Sequence, residues 1–375
     1  MIDYAVPLNN GDAALIFALG DELETLGHEV TYSTFQLDKV KKKYPEKVWI
    51  ASILSNKYLN HIPIIRYIYY CIQILCNPVI KNQDLIIAAP GGYINSYYGF
   101  KLKLLVLSLY KRLLGKPIIM YSQSIGPLNR KDEKIIKKYL PYFSKFLVRD
   151  EASFQRIKPL TGNYESLVKT YDAAFLMEPK GQLLKSSTKK IAISVRSWKF
   201  DNRSQDIYQQ LIKDMVKELI FHGFEIVFLS TCQGDTEYID DSIEAIRIYR
   251  SFPKKMQESI TIDANNYDLD QLKERLQEFD YVIGTRLHMC ILAWLSGVPA
   301  FNISYEEKGK ECYSYLGLEK YTIDYNEEDN SRERIKSFLK MTEIEKQCHF
   351  NKIDTIHVEM KRMLGTLLNE SGILS

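Results

Sequence analysis

Short runs rich in Val, Ile and Tyr alternate along the chain with longer segments whose apolar residues recur every three or four positions. In the first half this pattern predicts strands at Ile2–Pro7, Glu29–Thr34, Asp84–Ala89, Pro117–Ser122, Phe146–Val148 and Leu167–Tyr171. Helices are expected between them, at Ala13–Leu26, Phe100–Leu114, Lys131–Phe143 and Glu151–Ile157. Around Glu178–Lys190, Pro179, Gly181 and several serines and lysines break the periodicity and predict a linker. The alternation then restarts, with strands expected at Ile191–Val195, Glu225–Leu229, Ile260–Ile262, Tyr281–Ile283 and Ala300–Ile303. Helices are expected there at Ile207–His222, Asp235–Ile248, Asp270–Glu278 and His288–Leu295, and the tail from Ser331 to Leu368 reads as helical.

Strands that alternate with helices build parallel sheets covered on both faces. The expected organisation is therefore two doubly wound α/β domains, 1–178 and 190–330, facing across a cleft, with a helical tail at 331–375 packing across both. A chain of 375 residues is long for one core and sufficient for two. In open α/β sheets ligands bind beyond the carboxyl ends of the strands, so the loops that follow the strands are where chemistry is sought.

The formal net charge of +3 lacks the basic excess of a nucleic-acid binder. The six cysteines form no CxxC pair and the histidines are scattered, which predicts free thiols and no metal site. No GxSxG elbow, GxGxxG turn or P-loop is present, so serine hydrolysis, dinucleotide binding and nucleoside triphosphate binding find no support. The N-terminus runs straight into Asp3 and a polar turn, so no signal peptide is expected, and a cytoplasmic protein is.

Positive side chains recur at the ends of strands. Arg286 and His288 fall where the strand Tyr281–Ile283 gives way to a helix, a position that favours an anion. An arginine there offers a planar fork for phosphate or carboxylate, and a histidine beside it offers a proton. Each residue fits a surface ion pair or a packing role equally well. Arg196 follows the strand Ile191–Val195, Lys308 follows Ala300–Ile303, and Arg149 ends Phe146–Val148. Singly these are ordinary surface cations; together they suit a small, highly charged anion. In the first half, Asn10-Gly11-Asp12, Pro90-Gly91-Gly92 and Ser122 through Pro127 are polar or small-residue turns after strands. Asp12 is read as a helix N-cap, and the glycines as places where a ligand approaches the backbone. Asn10, Asp12, Gly91, Gly92 and Gln123 are the candidate acceptor contacts, against the alternative of tight turns only.

Taken in order, these pieces resemble the polysaccharide pyruvyl transferase family. The matching segments are Asn10-Gly11-Asp12, Asp84 through Gly92, Gln123 through Pro127, Val148 through Ser153 and Asp172 through Phe175. They continue with Ile193 through Arg196, Ile283 through His288, Gly297-Val298-Pro299 and Tyr305 through Lys308. The resemblance implies two Rossmann-like domains in a glycosyltransferase-B-like arrangement. It implies phosphoenolpyruvate as donor, a saccharide or lipid-linked saccharide as acceptor, and no cofactor. By the same resemblance Arg196, Arg286 and the backbone of Leu287 contact the donor, His288 is the general acid, and Arg149 and Lys308 are further functional cations.

Two alternatives stay open. A sugar-nucleotide glycosyltransferase of the same architecture would use an acid such as Glu306 or Glu307 to hold a ribose. A polysaccharide-assembly scaffold would keep the fold and lack the Arg196, Arg286 and His288 set. The apolar segment Ile62–Ile80, with Lys81 after it and basic residues from Lys101 to Lys116, fits ordinary domain helices. A peripheral contact with the inner face of an anionic membrane is the other reading.

Overall fold

The computed structural model describes residues 1–55, 62–97, 99–162, 166–180, 188–198, 203–232, 240–326 and 330–371. The central part of the expected linker and the first residues of the helix expected at Asp235–Ile248 lie outside the described residues. The chain divides into two compact units. The first comprises Met1–Leu8, Leu15–Leu176 and Glu359–Ser375; the second comprises Asn9–Ala14 and Met177–Val358.

The strands assigned to the first unit are β1 (Ile2–Asp3), β2 (Thr31–Thr34), β3 (Val48–Ala51), β4 (Ile86–Ala88), β5 (Gly91–Ile94), β6 (Ile118–Ile125), β7 (Lys145–Val148) and β8 (Leu167–Lys169). The helices between them are α1 (Asn10–Thr25), α2 (Leu37–Lys43), α3 (Pro63–Cys76), α4 (Pro78–Lys81), α5 (Lys101–Leu114), α6 (Arg130–Tyr139) and α7 (Glu151–Thr161). The sheet runs in the order β3-β2-β1-β4-β6-β7-β8, with β5 also pairing β6, and each of these pairings is parallel. Its strands are near-continuous apolar runs because helices cover both faces; Ile86, Ile87, Ile118, Ile119 and Met120 are all buried.

The second unit carries β9 (Lys190–Ser194), β10 (Glu225–Leu229), β11 (Ile260–Asp263), β12 (Tyr281–Gly284), β13 (Ala300–Ser304) and β14 (Thr322–Asp324). Its helices are α8 (Gln205–Phe221), α9 (Asp241–Arg250), α10 (Lys254–Gln257), α11 (Leu269–Leu276), α12 (Leu287–Leu295), α13 (Glu307–Tyr315) and α14 (Ser331–Leu339). The long α15 (Glu343–Glu370) gives its first half to the second unit and its last residues to the first. This sheet is parallel throughout, in the order β11-β10-β9-β12-β13-β14. That is the doubly wound order of a Rossmann-like domain, with its reversal point between β9 and β12. In the first unit the corresponding reversal lies between β1 and β4.

Three strands escape the sequence pattern. β3 and β14 are edge strands too short for a period to register, and β5 begins with two glycines. Gly91 and Gly92 therefore belong to a strand, paired to β6 with Gly91 opposite Gln123, and not to an open turn. The tail is two helices, interrupted between Leu339 and Glu343.

Candidate active site

The reversal point of the second unit is where its cations meet. Gly284 on β12 stands opposite Ser194 on β9, so the loops leaving these neighbours start side by side. One loop carries Arg196 and the other Arg286. Thr285 N–H donates to Ser194 O at 3.0 Å, and Arg286 N–H reaches Ser194 Oγ at 3.5 Å. The Tyr208 hydroxyl, projected by α8, ties both loops: it accepts from Arg196 N–H at 3.1 Å and bonds Thr285 Oγ1 at 2.7 Å. Tyr325 stacks flat on Tyr208 with ring centroids 4.0 Å apart and donates to Arg196 O at 3.0 Å. The backbone on each side of the switch point is thereby fixed by buried phenols rather than left as a free loop.

Aromatic rings also hold the Arg196 side chain. Its guanidinium carbon lies 4.6 Å from the Tyr305 ring centroid and 5.1 Å from that of Trp198, and Nη1 donates to the Tyr305 hydroxyl. Cation–π contacts of this kind help to orient a buried cation. Lys308, in the first turn of α13, places Nζ 5.8 Å from the same Tyr305 ring and pairs with Glu306 at 2.6 Å. Arg196 and Lys308 therefore share one tyrosine.

Arg286 is engaged differently. Its Nε and Nη2 edge grips Asp241 with bonds of 3.0 and 2.7 Å, and Asp241 is almost wholly buried at the start of α9. Burial opposes the charge on Arg286, but the Asp241 carboxylate outweighs it and holds the guanidinium pKa above its usual value. The fork expected for a substrate anion is thus half occupied by a protein acid. The bonds to Asp241 use Nε and Nη2, which leaves the Nη1 edge outside that grip. Arg286 also stands just before α12, so Leu287 and His288 open that helix, where backbone N–H groups lack intrahelical acceptors.

The segment Asn9–Ala14 joins this cluster, being part of the second unit. Asn10 N–H donates to Thr231 O at 3.1 Å and Asn10 Nδ2 donates to Tyr267 O at 3.0 Å. A side-chain carbon added at Gly11 would sit 2.8 Å from His288 Nδ1, so only glycine lets the imidazole lie against this turn. Asp12 is not the cap expected from the sequence: Asn9 Oδ1 accepts from Asp12 N–H at 2.8 Å, and the Asn9 amide returns a bond to the Asp12 carboxylate. Asn9 caps α1, and Asp12, at the third helical position, is held to it side chain to side chain. Cys232, which follows β10, lies near these charges. Burial pushes its thiol up to about 11, and it feels the charges of Arg286, Asp241, Asp12 and Arg196.

The remaining candidates lie in the first unit. Arg149 is buried; Nη1 pairs with Asp172 at 2.7 Å and Nε donates to Ser124 Oγ at 2.7 Å. Ser124 in turn donates to Asp150 at 2.6 Å, and Asp150 accepts from Ser153 N–H at the start of α7. This network ties the ends of β6 and β7 to the helix after them. Gln123 is fully buried and donates to Ala89 O at 2.5 Å, which commits its amide nitrogen to the β4 end. The structure thus gathers Arg196, Arg286, Leu287, His288, Lys308, Asn10 and Asp12 in one unit, while Arg149, Gly91, Gly92 and Gln123 sit in the other. Sequence reasoning missed Asp241, Trp198, Tyr208 and Cys232. The only local signal for Asp241 was the Asp240-Asp241-Ser242 helix start.

Comparison with known proteins adds the following. The family model for polysaccharide pyruvyl transferase matches residues 9–307. The amylovoran biosynthesis protein AmsJ of Erwinia amylovora is 27% identical over 318 residues, covering 79% of this chain and 73% of that protein. A glycosyltransferase from Rickettsia africae superposes with a TM-score of 0.65 at 11% identity, covering 100% of this chain and 98% of its own. Trehalose-6-phosphate synthase OtsA gives 0.63 at 11% identity, covering 99% and 98%. At such identities the likeness is one of fold: a glycosyltransferase-B-like pair of Rossmann-like domains.

Proposed function

Because the chain belongs to the polysaccharide pyruvyl transferase family, we propose that it moves the pyruvyl group of phosphoenolpyruvate onto a sugar of a surface polysaccharide, or of its lipid-linked precursor, and closes a cyclic ketal. The observation that carries this reading is the convergence of Arg196, Lys308 and Arg286 on Tyr305 and Asp241 at the switch point of the second unit. Phosphoenolpyruvate combines a phosphate and a carboxylate, roughly three negative charges at neutral pH by the usual phosphate ionisation. Arg196 and Lys308 offer two cations on one ring, and the first turn of α12 offers backbone N–H groups and the Nη1 edge of Arg286. A positioned donor of this kind is worth about 3 kcal/mol in the transition state.

In the proposed sequence His288 gives a proton to the methylene carbon, which makes C2 electrophilic. One sugar hydroxyl adds to C2 and its proton restores His288. The C–O bond to phosphate breaks, inorganic phosphate leaves with the bond pair, and a second hydroxyl of the same sugar closes the ring and gives its proton to the departing phosphate. The balance is phosphoenolpyruvate plus diol to ketal plus phosphate. No redox partner is required. The amylovoran relative supports an exopolysaccharide context.

The alternative, sugar-nucleotide transfer, needs an acid free to hold a ribose. Glu306 is ion-paired to Lys308 at 2.6 Å, so a ribose would have to displace that lysine, and Glu307 in the first turn of α13 is the other acid. The test is phosphate release from phosphoenolpyruvate across a panel of aryl hexopyranosides, together with thermal shift by phosphoenolpyruvate, UDP and GDP. Release with one acceptor, lost in His288→Ala while the melting temperature holds, is expected. Stabilisation by UDP or GDP and not by phosphoenolpyruvate would overturn the proposal.

A further inference from the structure

The first unit presents a surface that the chemistry above does not use. From residue 62 to 79, through α3 and α4, every exposed residue is Ile, Leu, Val, Pro or Cys. Ile64 is 74% exposed, Ile68 and Ile72 are each 51%, and Leu75 is 45%. Seven of the fourteen large hydrophobic residues that are exposed among the described residues fall in this stretch, so they form a patch rather than the single scattered side chains normal for a surface. At 3.6 residues per turn, Ile64, Ile65, Ile68, Ile72 and Leu75 share about 100° of the circumference of α3. Tyr70 and Ile74, both buried, occupy the opposite side, which packs towards α5. The usual arrangement, with the apolar stripe inward and charge outward, is thus joined here by a second apolar stripe facing out.

Charge identifies what this face meets. No Asp or Glu occurs from Ile62 to Gln83, where the only charged residues are Arg66 and Lys81. The packing partner α5 also has no acid and carries Lys101, Lys103, Lys111 and Arg112. A second copy of this chain would bring two acid-free cationic faces together, whereas an anionic bilayer complements both the charge and the isoleucines. No helix among the described residues is long and apolar enough to cross a membrane, and the outward apolar stripe of α3 suits a helix that lies within the headgroup boundary. We propose that the outward face of α3 and α4 docks the protein on an anionic lipid surface, with Ile64, Ile68, Ile72 and Leu75 inserted and Lys81 and Lys101 at the headgroups. This inference stands apart from the pyruvyl-transfer reading; either can fail without the other.

The test is flotation of the full chain with vesicles of phosphatidylcholine alone and of equimolar phosphatidylcholine and phosphatidylglycerol, at low and high salt. The wild type is expected to float with the anionic vesicles, to release as salt rises, and to bind neutral vesicles weakly. Ile64→Ser, Ile68→Ser and Ile72→Ser are each expected to lower the partition coefficient about tenfold, from the apolar area each loses, and the triple variant that combines them is expected to stay unbound. Lys81→Glu with Lys101→Glu weakens anionic binding without altering neutral binding. All these positions are exposed or at helix ends, so melting temperature and any shift by phosphoenolpyruvate should be unchanged in the variants. The proposal is overturned if the wild type fails to float with anionic vesicles, or if the triple serine variant floats equally well. It is also overturned if the serine variants convert a dimer to a monomer in analytical ultracentrifugation with no effect on vesicles.

Discussion

Replacing Gly11 by alanine separates the position of His288 from the stability of the fold. Gly11 lies in the first turn of α1 and its backbone is not in the left-handed region, so alanine can adopt it. In a helix interior that exchange would gain roughly 1 kcal/mol, and less in the first turn. Against this, the new methyl carbon would sit 2.8 Å from His288 Nδ1 and 3.1 Å from both His288 Cβ and Asn9 Oδ1. Ordinary contacts between such atoms are about 3.5–4.0 Å, so the imidazole or the turn must yield by somewhat under 1 Å. Overpacking of this size costs about 1–3 kcal/mol, so with a gain of about 0.5 kcal/mol in the first turn the net loss of stability is about 0.5–2.5 kcal/mol. A displacement near 1 Å at a reacting group costs on the order of 100-fold in rate. The expected result is a kcat lowered by about 10- to 100-fold, a KM for phosphoenolpyruvate changed little because Arg196 and Lys308 are untouched, and a melting temperature within a few degrees of wild type. Phosphate release kinetics and differential scanning calorimetry on the same preparation measure both. A wild-type kcat in a well-folded Gly11→Ala protein would refute the claim that the imidazole acts from this site.

Three further predictions follow from buried charge. Asp241→Asn strips Arg286 of its counter-ion, which costs about 3 kcal/mol or more in the unliganded protein; phosphoenolpyruvate should then raise the melting temperature of the variant more than that of wild type, and an equal shift would place the donor away from Arg286. Arg149→Met leaves Asp172 buried without its cation and is expected to destabilise the protein by about 3–5 kcal/mol, while the thermal shift by phosphoenolpyruvate survives; loss of that shift at retained fold would assign Arg149 to the donor after all. Burial raises the Asp3 carboxyl to about 6. Between the unfolded value near 4 and this folded value, the unfolded chain releases a proton that the folded chain keeps, so stability falls as pH rises through that window. Asp3→Asn removes the loss, and urea denaturation should show the variant gaining on wild type by up to about 3 kcal/mol from pH 4 to pH 7; a constant difference across that range would contradict it.

What could be read from the sequence follows from the range of each interaction. Apolar runs such as Glu225–Leu229 and Tyr281–Gly284 announce themselves because burial on both faces demands them. Strand ends then follow, and with them the placement of Arg196, Arg286 and Lys308 on one side of one sheet. Direction and pairing did not follow. Arg286 turns to Asp241, which lies 45 residues earlier, and nothing local distinguishes a fork open to substrate from one closed on a carboxylate. Arg196 is held by Trp198 and Tyr305, the second more than a hundred residues away, and ring stacking leaves no periodic trace. Arg149 ends a strand as its fellow cations do, and its pairing with Asp172, a buried acid 23 residues on, leaves no local trace either. The Asn9 cap was misassigned to Asp12 because both residue types cap helices and only geometry decides between them.

The central claim is that one small trianion is held where Arg196, Lys308 and the start of α12 converge. A crystal structure with phosphoenolpyruvate bound would measure this most directly. Phosphate and carboxylate oxygens are expected within hydrogen-bonding distance of Arg196, Lys308 and the Arg286 Nη1 edge, with the methylene carbon facing His288. Donor density elsewhere, with these side chains still turned to Tyr305, Glu306 and Asp241, would contradict it.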